Sequence, residues 1–184
     1  MKTNDKFDII ILSGNSIGEI TFKKLQQNSV NTAKFHVEEM NPEEILSKDC
    51  ELFVLCSDKM ENYEFFNRMF NSKRKKWLSA RMNEYIGEIG PIVIPKRTAC
   101  FKCYTIRKLS ADYLERKENA PIDLKKKDIC AEIIADILVL KIMKIIGNDE
   151  DIKDFNSVIE IDPINNAIFR HTVLKVPNCE VCGV

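Results

Sequence analysis

The chain has 184 residues, 45% hydrophobic and 30% charged, with 28 basic and 28 acidic side chains and a formal net charge of zero. That length suits one domain with a real core, and the balanced charge removes any global electrostatic case for a nucleic-acid or anionic-membrane partner. The polar start, Met1-Lys2-Thr3-Asn4-Asp5-Lys6, is not a signal peptide, and seven cysteines without a secretion signal point to a reducing, cytoplasmic setting and to metal binding over disulfides.

Phe7–Leu12 is a short apolar run, as expected of a central parallel strand covered on both faces. Ser13-Gly14-Asn15-Ser16-Ile17-Gly18 reads as a turn into a helix carrying Ile20 and Leu25. Ala33–Val37 follows as a second strand, and Pro42–Leu46 as a helix opened by proline. Leu52–Cys56 is a third strand, Tyr63–Phe70 a helix and Trp77–Met82 a fourth strand. This alternation predicts an α/β fold: a Rossmann-like, doubly wound, mostly parallel sheet over residues 1–83.

Residues 84–184 change character within the same single domain. Ile86–Ile94 carries Gly87, Gly90 and Pro91 among β-branched residues and predicts bent or antiparallel strands. Lys108–Lys127 is densely charged and reads as a mobile loop or crossover. Asp128–Ile146 predicts one long helix stopped at Gly147. Asp128, Glu132 and Asp136 give it a polar stripe, so it reads as a buried or interface helix, and a candidate homodimer surface, rather than a membrane span. A hairpin is expected from Val158–Ile161, a turn at 162–166, and Ile168–Val176.

The strongest motif is a double one: Cys100-Phe-Lys-Cys103 and Cys179-Glu-Val-Cys182. Two thiolates three residues apart hold one edge of a metal, and two such pairs complete the Cys₄ set that structural Zn²⁺ prefers. A redox pair or a disulfide are the alternatives. A redox pair normally precedes a helix and needs only one Cys-x-x-Cys, whereas both pairs here stand beside turn residues. Such a site pins the C-terminal hairpin and tail with four protein ligands and leaves no open position for substrate. Cys50, Cys56 and Cys130 lie in or beside apolar segments and read as core thiols.

Gly14 and Gly18 mark the turn where doubly wound folds bind nucleotide phosphates, but Ser13 and Asn15 occupy the other two positions of G-x-G-x-x-G. Asp58, after the third strand, suits a Mg²⁺ ligand or a cap of the next helix. Lys73-Arg74-Lys75-Lys76 reads as a solvated helix end, with a docking patch for an acidic partner as the sharper option. His36 and His171 are isolated and give no catalytic triad, so no catalytic residue is assigned.

Taken in order, these pieces resemble the ThiF/MoeB family, the ubiquitin-activating-enzyme-like adenylating fold. The most telling stretches are Ile89-Gly90-Pro91-Ile92-Val93-Ile94-Pro95 leading to Thr98-Ala99-Cys100, and His171-Thr172-Val173-Leu174-Lys175-Val176-Pro177 leading to the last cysteine pair. In detail the chain resembles the branch of thiazole/oxazole-modified microcin biosynthesis, whose cyclodehydratase subunit partners a YcaO-type protein. The resemblance implies that Cys100, Cys103, Cys179 and Cys182 are zinc ligands, that Gly18 is the last glycine of the nucleotide turn, and that Asp58 is the magnesium-binding aspartate. It implies a precursor peptide and a YcaO-type protein as partners, the latter using ATP to activate backbone amides.

Departures from the pattern shape the expectation. Ser13 and Asn15 replace turn glycines, the segment after Ala33–Val37 is read as lacking the acidic ribose-binding position, and no cysteine stands out as a thioester nucleophile. A winged-helix leader-binding domain ahead of the first strand is not expected. The expectation is therefore a non-catalytic, zinc-stabilised scaffold subunit with neither ATP nor Mg²⁺ as a cofactor. The alternative is an active ATP-dependent adenylating enzyme acting on a peptide or carrier-protein carboxyl terminus, and a plain interaction module is a third possibility.

Overall fold

The computed structural model describes residues 6–112, 124–149 and 152–183. Its strands are β1 (Lys6–Ser13), β2 (Thr32–His36), β3 (Asp49–Cys56), β4 (Trp77–Asn83), β5 (Ile86–Val93), β6 (Ser157–Asp162) and β7 (Ala167–Thr172). The helices are α1 (Ser16–Gln27), α2 (Pro42–Ser47), α3 (Met60–Ser72), α4 (Phe101–Asp112), α5 (Leu124–Ile146) and α6 (Ile152–Phe155). One seven-stranded sheet runs β2-β1-β3-β4-β5-β6-β7. Its first four strands pair in parallel and the last three extend it antiparallel. The expected α/β sheet is present, with the change of direction at β5 where the glycine-rich Ile86–Ile94 segment predicted it.

The central strands show why the apolar runs do not alternate with polar residues. Ile9, Ile11, Leu52 and Val54 enter a core with Leu25 of α1 and Ile134, Leu138 and Ile142 of α5. Ile10, Leu12, Phe53 and Leu55 face the other way, toward Phe66 and Phe70 of α3 and Phe101 of α4. Helices cover both faces, so every residue of the strand interior is apolar. Fully buried Trp77 packs its ring 5.3 Å from that of Phe70, tying β4 to α3.

Two elements differ from the sequence expectation. The charged stretch expected as a loop is helical at both ends: α4 runs to Asp112 and α5 begins at Leu124, while 113–123 lie outside the described residues. Helix propensity is high for the Lys, Arg and Leu of these segments, and charge alone does not oppose it. The final strand stops at Thr172 rather than Val176, because Val173 turns into the core below α4 and the chain then runs to the cysteines. The polar stripe of α5 faces α1, where Lys24 pairs with Glu132 at 3.2 Å and Asp136 at 2.7 Å. No helix among the described residues is long and apolar enough to cross a membrane.

Gly90 sets the meeting of β5 with β6. Its φ is +108°, and a Cβ there would stand 2.6 Å from the Ser157 carbonyl oxygen. Both the backbone conformation and the lack of space exclude a side chain. Gly90→Ala is expected to cost about 3 kcal/mol, from strain and overpacking together. Thermal unfolding should fall by roughly 6–12 °C; an unchanged midpoint would count against this packing.

Candidate functional site

The two Cys-x-x-Cys pairs come from opposite ends of the second half and meet beside α3 and α4. Thr98 holds the approach to the first pair: its hydroxyl accepts from the Ile94 N–H at 2.8 Å and donates to the Ile92 carbonyl at 3.0 Å. Cys100 then stands at the start of α4 and Cys103 lies one turn in. A turn at 95–98 leads into the first pair as expected, but Cys103 lies inside α4, so position alone does not separate metal from redox chemistry. What separates them is the second pair. Asn178, at φ +57°, bends the tail, and the Gly183 N–H donates to the Cys179 carbonyl at 2.8 Å.

All four sulfurs lie within 4.8 Å of one another. Cys100 is 3.8 Å from Cys103 and 3.7 Å from Cys179, and Cys103 is 3.4 Å from Cys182. A tetrahedral ion with ~2.3 Å metal–sulfur bonds requires sulfurs ~3.8 Å apart. The donor set and its spacing therefore fit Zn²⁺. Burial opposes ionisation of Cys179, yet the Val181 and Cys182 amides and the neighbouring thiols bring it down to about 7. Burial pushes Cys100 and Cys182 up, so a cation is what would allow the whole set to ionise together.

Several residues that no motif marks hold this site in place. The buried Asn67 side chain of α3 accepts from the Phe101 N–H at 3.2 Å, and Asn156 accepts from the Ala99 N–H at 3.1 Å. The Val176 N–H points at the Cys103 sulfur at 3.3 Å. Arg107 donates to the Leu174 and Lys175 carbonyls at 2.8 and 3.2 Å, clamping the tail onto α4. Polar side chains facing backbone atoms far along the chain leave no sequence signature, which is why only the sulfurs were legible.

A crevice of about 320 Å³ opens where β1 and β2 end, lined by Ser13, Gly14, Asn15, His36, Glu38 and Glu39 among others. Asn15 caps α1 by accepting from the Gly18 N–H at 3.2 Å, and its amide donates to Asp58 at 2.9 Å. Ser13 donates to Glu19 in the first turn at 2.8 Å, and Lys34 pairs with the same carboxylate. Burial opposes the ionisation of Glu19, but Lys34 and Ser13 outweigh it and hold its carboxyl below the usual range. A helix terminus that would cradle phosphate is thus already supplied with an oxygen acceptor and a carboxylate.

Of the three residues expected at a nucleotide site, Gly14 lines this crevice, Gly18 packs behind Ser13, and Asp58 meets the Asn15 amide. A Cβ on Gly18 would stand 2.6 Å from the Ser13 hydroxyl, so glycine there serves close packing of α1 on β1. Asp58 does not cap α3; the Ser57 hydroxyl accepts from the Lys59 N–H instead, at 3.1 Å, and the Tyr63 hydroxyl accepts from the Ser57 N–H at 2.8 Å. Acidic residues do follow the second strand, since Glu38 and Glu39 line the crevice, with Glu38 paired to Lys59. His36 stands 3.9 Å from Glu19, the carboxylate that also accepts from Ser13, and His171 stands 3.7 Å from Glu160. Burial pushes the thiol of Cys50 up to about 12 and raises those of Cys56 and Cys130, as suits core residues. Two members of the basic run are engaged locally, Lys73 with Glu43 at 3.0 Å and Lys75 with the Lys48 carbonyl at 3.2 Å.

A buried ionic network joins the sheet to α4. Glu88 of β5 is only 4% exposed and accepts from Arg81 of β4 at 2.6 and 2.7 Å and from the Tyr104 hydroxyl at 2.6 Å. Lys108 pairs with its other oxygen. Burial opposes the charge on Glu88, and the two cations with the tyrosine overcome it, holding its carboxyl below the ordinary range.

Comparison with known proteins places this architecture. No curated protein sequence matches the chain. Among solved structures, E. coli MccB superposes with a TM-score of 0.68 at 15% identity, covering 98% of this chain and 67% of that one. A heterocyclase in complex with substrate and cofactor gives 0.67 at 15% identity over 98% of this chain, and the heterocyclase TruD gives 0.60 at 14% over the same share. The chain spans 26% and 28% of the lengths of these two heterocyclases. At such identities the likeness establishes the fold. The sequence model of the ThiF family matches residues 21–182, nearly the whole chain, and the protein belongs to the ThiF family.

Proposed function

We propose that this chain is a zinc-bearing, non-catalytic scaffold subunit in the maturation of a ribosomally made peptide, positioning substrate for or activating a YcaO-type cyclodehydratase. The observation that carries the reading is a contrast within one fold. The four sulfurs keep a spacing suited to Zn²⁺, while the α1 terminus is occupied by Asn15 and flanked by Glu19. Structural neighbours add support, since one is a heterocyclase bound to substrate and another is the microcin C7 biosynthetic enzyme MccB bound to N-formylated MccA. On this reading the protein is a cytoplasmic chain that works in contact with a peptide and a catalytic partner, and a homodimer through α5 is compatible with it.

The test is reconstitution. Precursor peptide and the YcaO-type partner are incubated with ATP, with and without this chain, and heterocycle formation is followed by mass loss. The expected result is modification stimulated at least tenfold by the chain and unaffected by Asp58→Ala. A rival reading, ATP-dependent adenylation, draws on Asp58 standing at the crevice and on a neighbour solved with an ATP analogue, MccB with AMPCPP. Loss of modification in Asp58→Ala, with pyrophosphate exchange by the wild-type chain alone, would favour that rival.

A further inference from the structure

Among the described residues, the last strand of the sheet has one edge with no strand paired to it. β7 pairs only with β6, and no other described strand lies beyond it. The Val173 N–H donates to the Asn156 carbonyl at 2.7 Å. Alternation along an antiparallel strand then directs the N–H and C=O of Ile168, Arg170 and Thr172 away from β6, toward the open edge. Ile168 is 64% exposed and Phe169 51%, on opposite faces of the strand. Proteins usually blunt such an edge with proline, a bulge or a cover, because free backbone groups flanked by apolar side chains accept another strand.

Each face of β7 also carries a cavity lined in part by cations. On the α4 side a cavity of about 240 Å³ includes Arg107 and His171; on the α5 side one of about 200 Å³ includes Lys144 and Arg170. The nearby carboxylates are already engaged, Asp154 with Arg170 and Glu160 with His171. Arg107 bonds only to backbone carbonyls, and neither it nor Lys144 has a carboxylate partner among the described residues.

From this placement we propose that the open edge of β7 is a docking site for an extended segment of the peptide substrate, carrying apolar side chains and an acidic one on each face. The segment adds an eighth strand, its backbone bonding to Ile168, Arg170 and Thr172 and its carboxylates to Arg107 and Lys144. The identity of the occupant rests on the peptide-maturation reading above. If this edge fails while partner-dependent modification still needs the chain, only the docking site is lost; if the chain has no effect on modification, the wider reading falls.

A synthetic ten-residue peptide of Val, Thr and Glu, with a glutamate on each face, is compared with its Glu→Lys counterpart at low salt. The glutamate peptide is expected to bind at least tenfold more tightly and to slow amide exchange at Ile168, Arg170 and Thr172. Lys144→Glu should reduce that preference several-fold, and Ile168→Pro, which removes an outward N–H and no β6 bond, should abolish binding. Equal binding of the two peptides, or protection confined to other strands, overturns the site. Protection of the same three amides before any peptide is added assigns the edge to a second copy and overturns it too.

Discussion

Replacing Cys179 by serine is expected to remove one equivalent of zinc per chain and to lower the thermal midpoint by roughly 10–20 °C. The size follows from the place of the site. Cys100 and Cys103 open α4, Cys179 and Cys182 end the tail, and no disulfide joins them. Structural zinc contributes apparent free energies of ~10–16 kcal/mol in finger peptides, as much as holds a whole domain. Here the sheet has its own core, so the loss should be a fraction of that, ~5 kcal/mol, at ~2–4 °C for each kcal/mol. Proteolysis should begin in the tail beyond Val173, which is anchored to α4 by Arg107 and by the sulfurs. Metal analysis by atomic spectroscopy, run beside calorimetry, checks both halves; full zinc content in the variant would refute the tetrathiolate site.

Glu88→Gln should cost about 3 kcal/mol near neutral pH, as much as Gly90→Ala, because it leaves Arg81 and Lys108 as partly buried cations without their carboxylate. The pH dependence has a definite sign. The folded-state pKa of Glu88 is lowered, so its contribution is present above the unfolded value of ~4.3 and is lost as pH falls through the folded value. Denaturant unfolding at pH 7 and at pH 3 should therefore show a wide gap between wild type and Glu88→Gln at the first pH and a narrower one at the second. A gap that stays constant or widens in acid would mean that the network does not stabilise the fold through this charge.

The parts of the molecule legible in the sequence are those with local or repetitive chemistry. Apolar runs such as Phe7–Leu12 announced buried strands, and their spacing announced the helices between them. The paired cysteines announced a cluster although 75 residues separate the inner two. Features built from distant partners stayed hidden. Glu88 reads as one charge among 28 acidic residues, and only the fold brings Arg81, Tyr104 and Lys108 around it. Asn15 was legible as a missing glycine, but its bond to Asp58 across the crevice was not. Helix α4 was obscured because its first turn carries the metal-ligand motif and its second half is charged, which together imitate a loop.

On the scaffold reading proposed above, Ser13, Asn15 and Glu19 would let a nucleotide-binding topology persist without its ligand. Asn15 supplies from within the oxygen that a phosphate would have supplied to the Gly18 N–H. Glu19 then meets Lys34 and Ser13, so the first turn of α1 carries an anion of its own that is already paired. Restoring phosphate binding would require removing both, and a single Asn15→Gly change should leave the Glu19 carboxylate in place to repel it.

The proposed scaffold role requires a fold held by its metal site and a crevice that does not take a nucleotide. Titration of Mg·ATP into the zinc-loaded chain, followed by the amide signals of Gly14, Asn15 and Gly18, tests it most directly. No saturable shift is expected up to millimolar Mg·ATP; saturation at micromolar concentration with shifts centred on Gly18 would overturn the scaffold role.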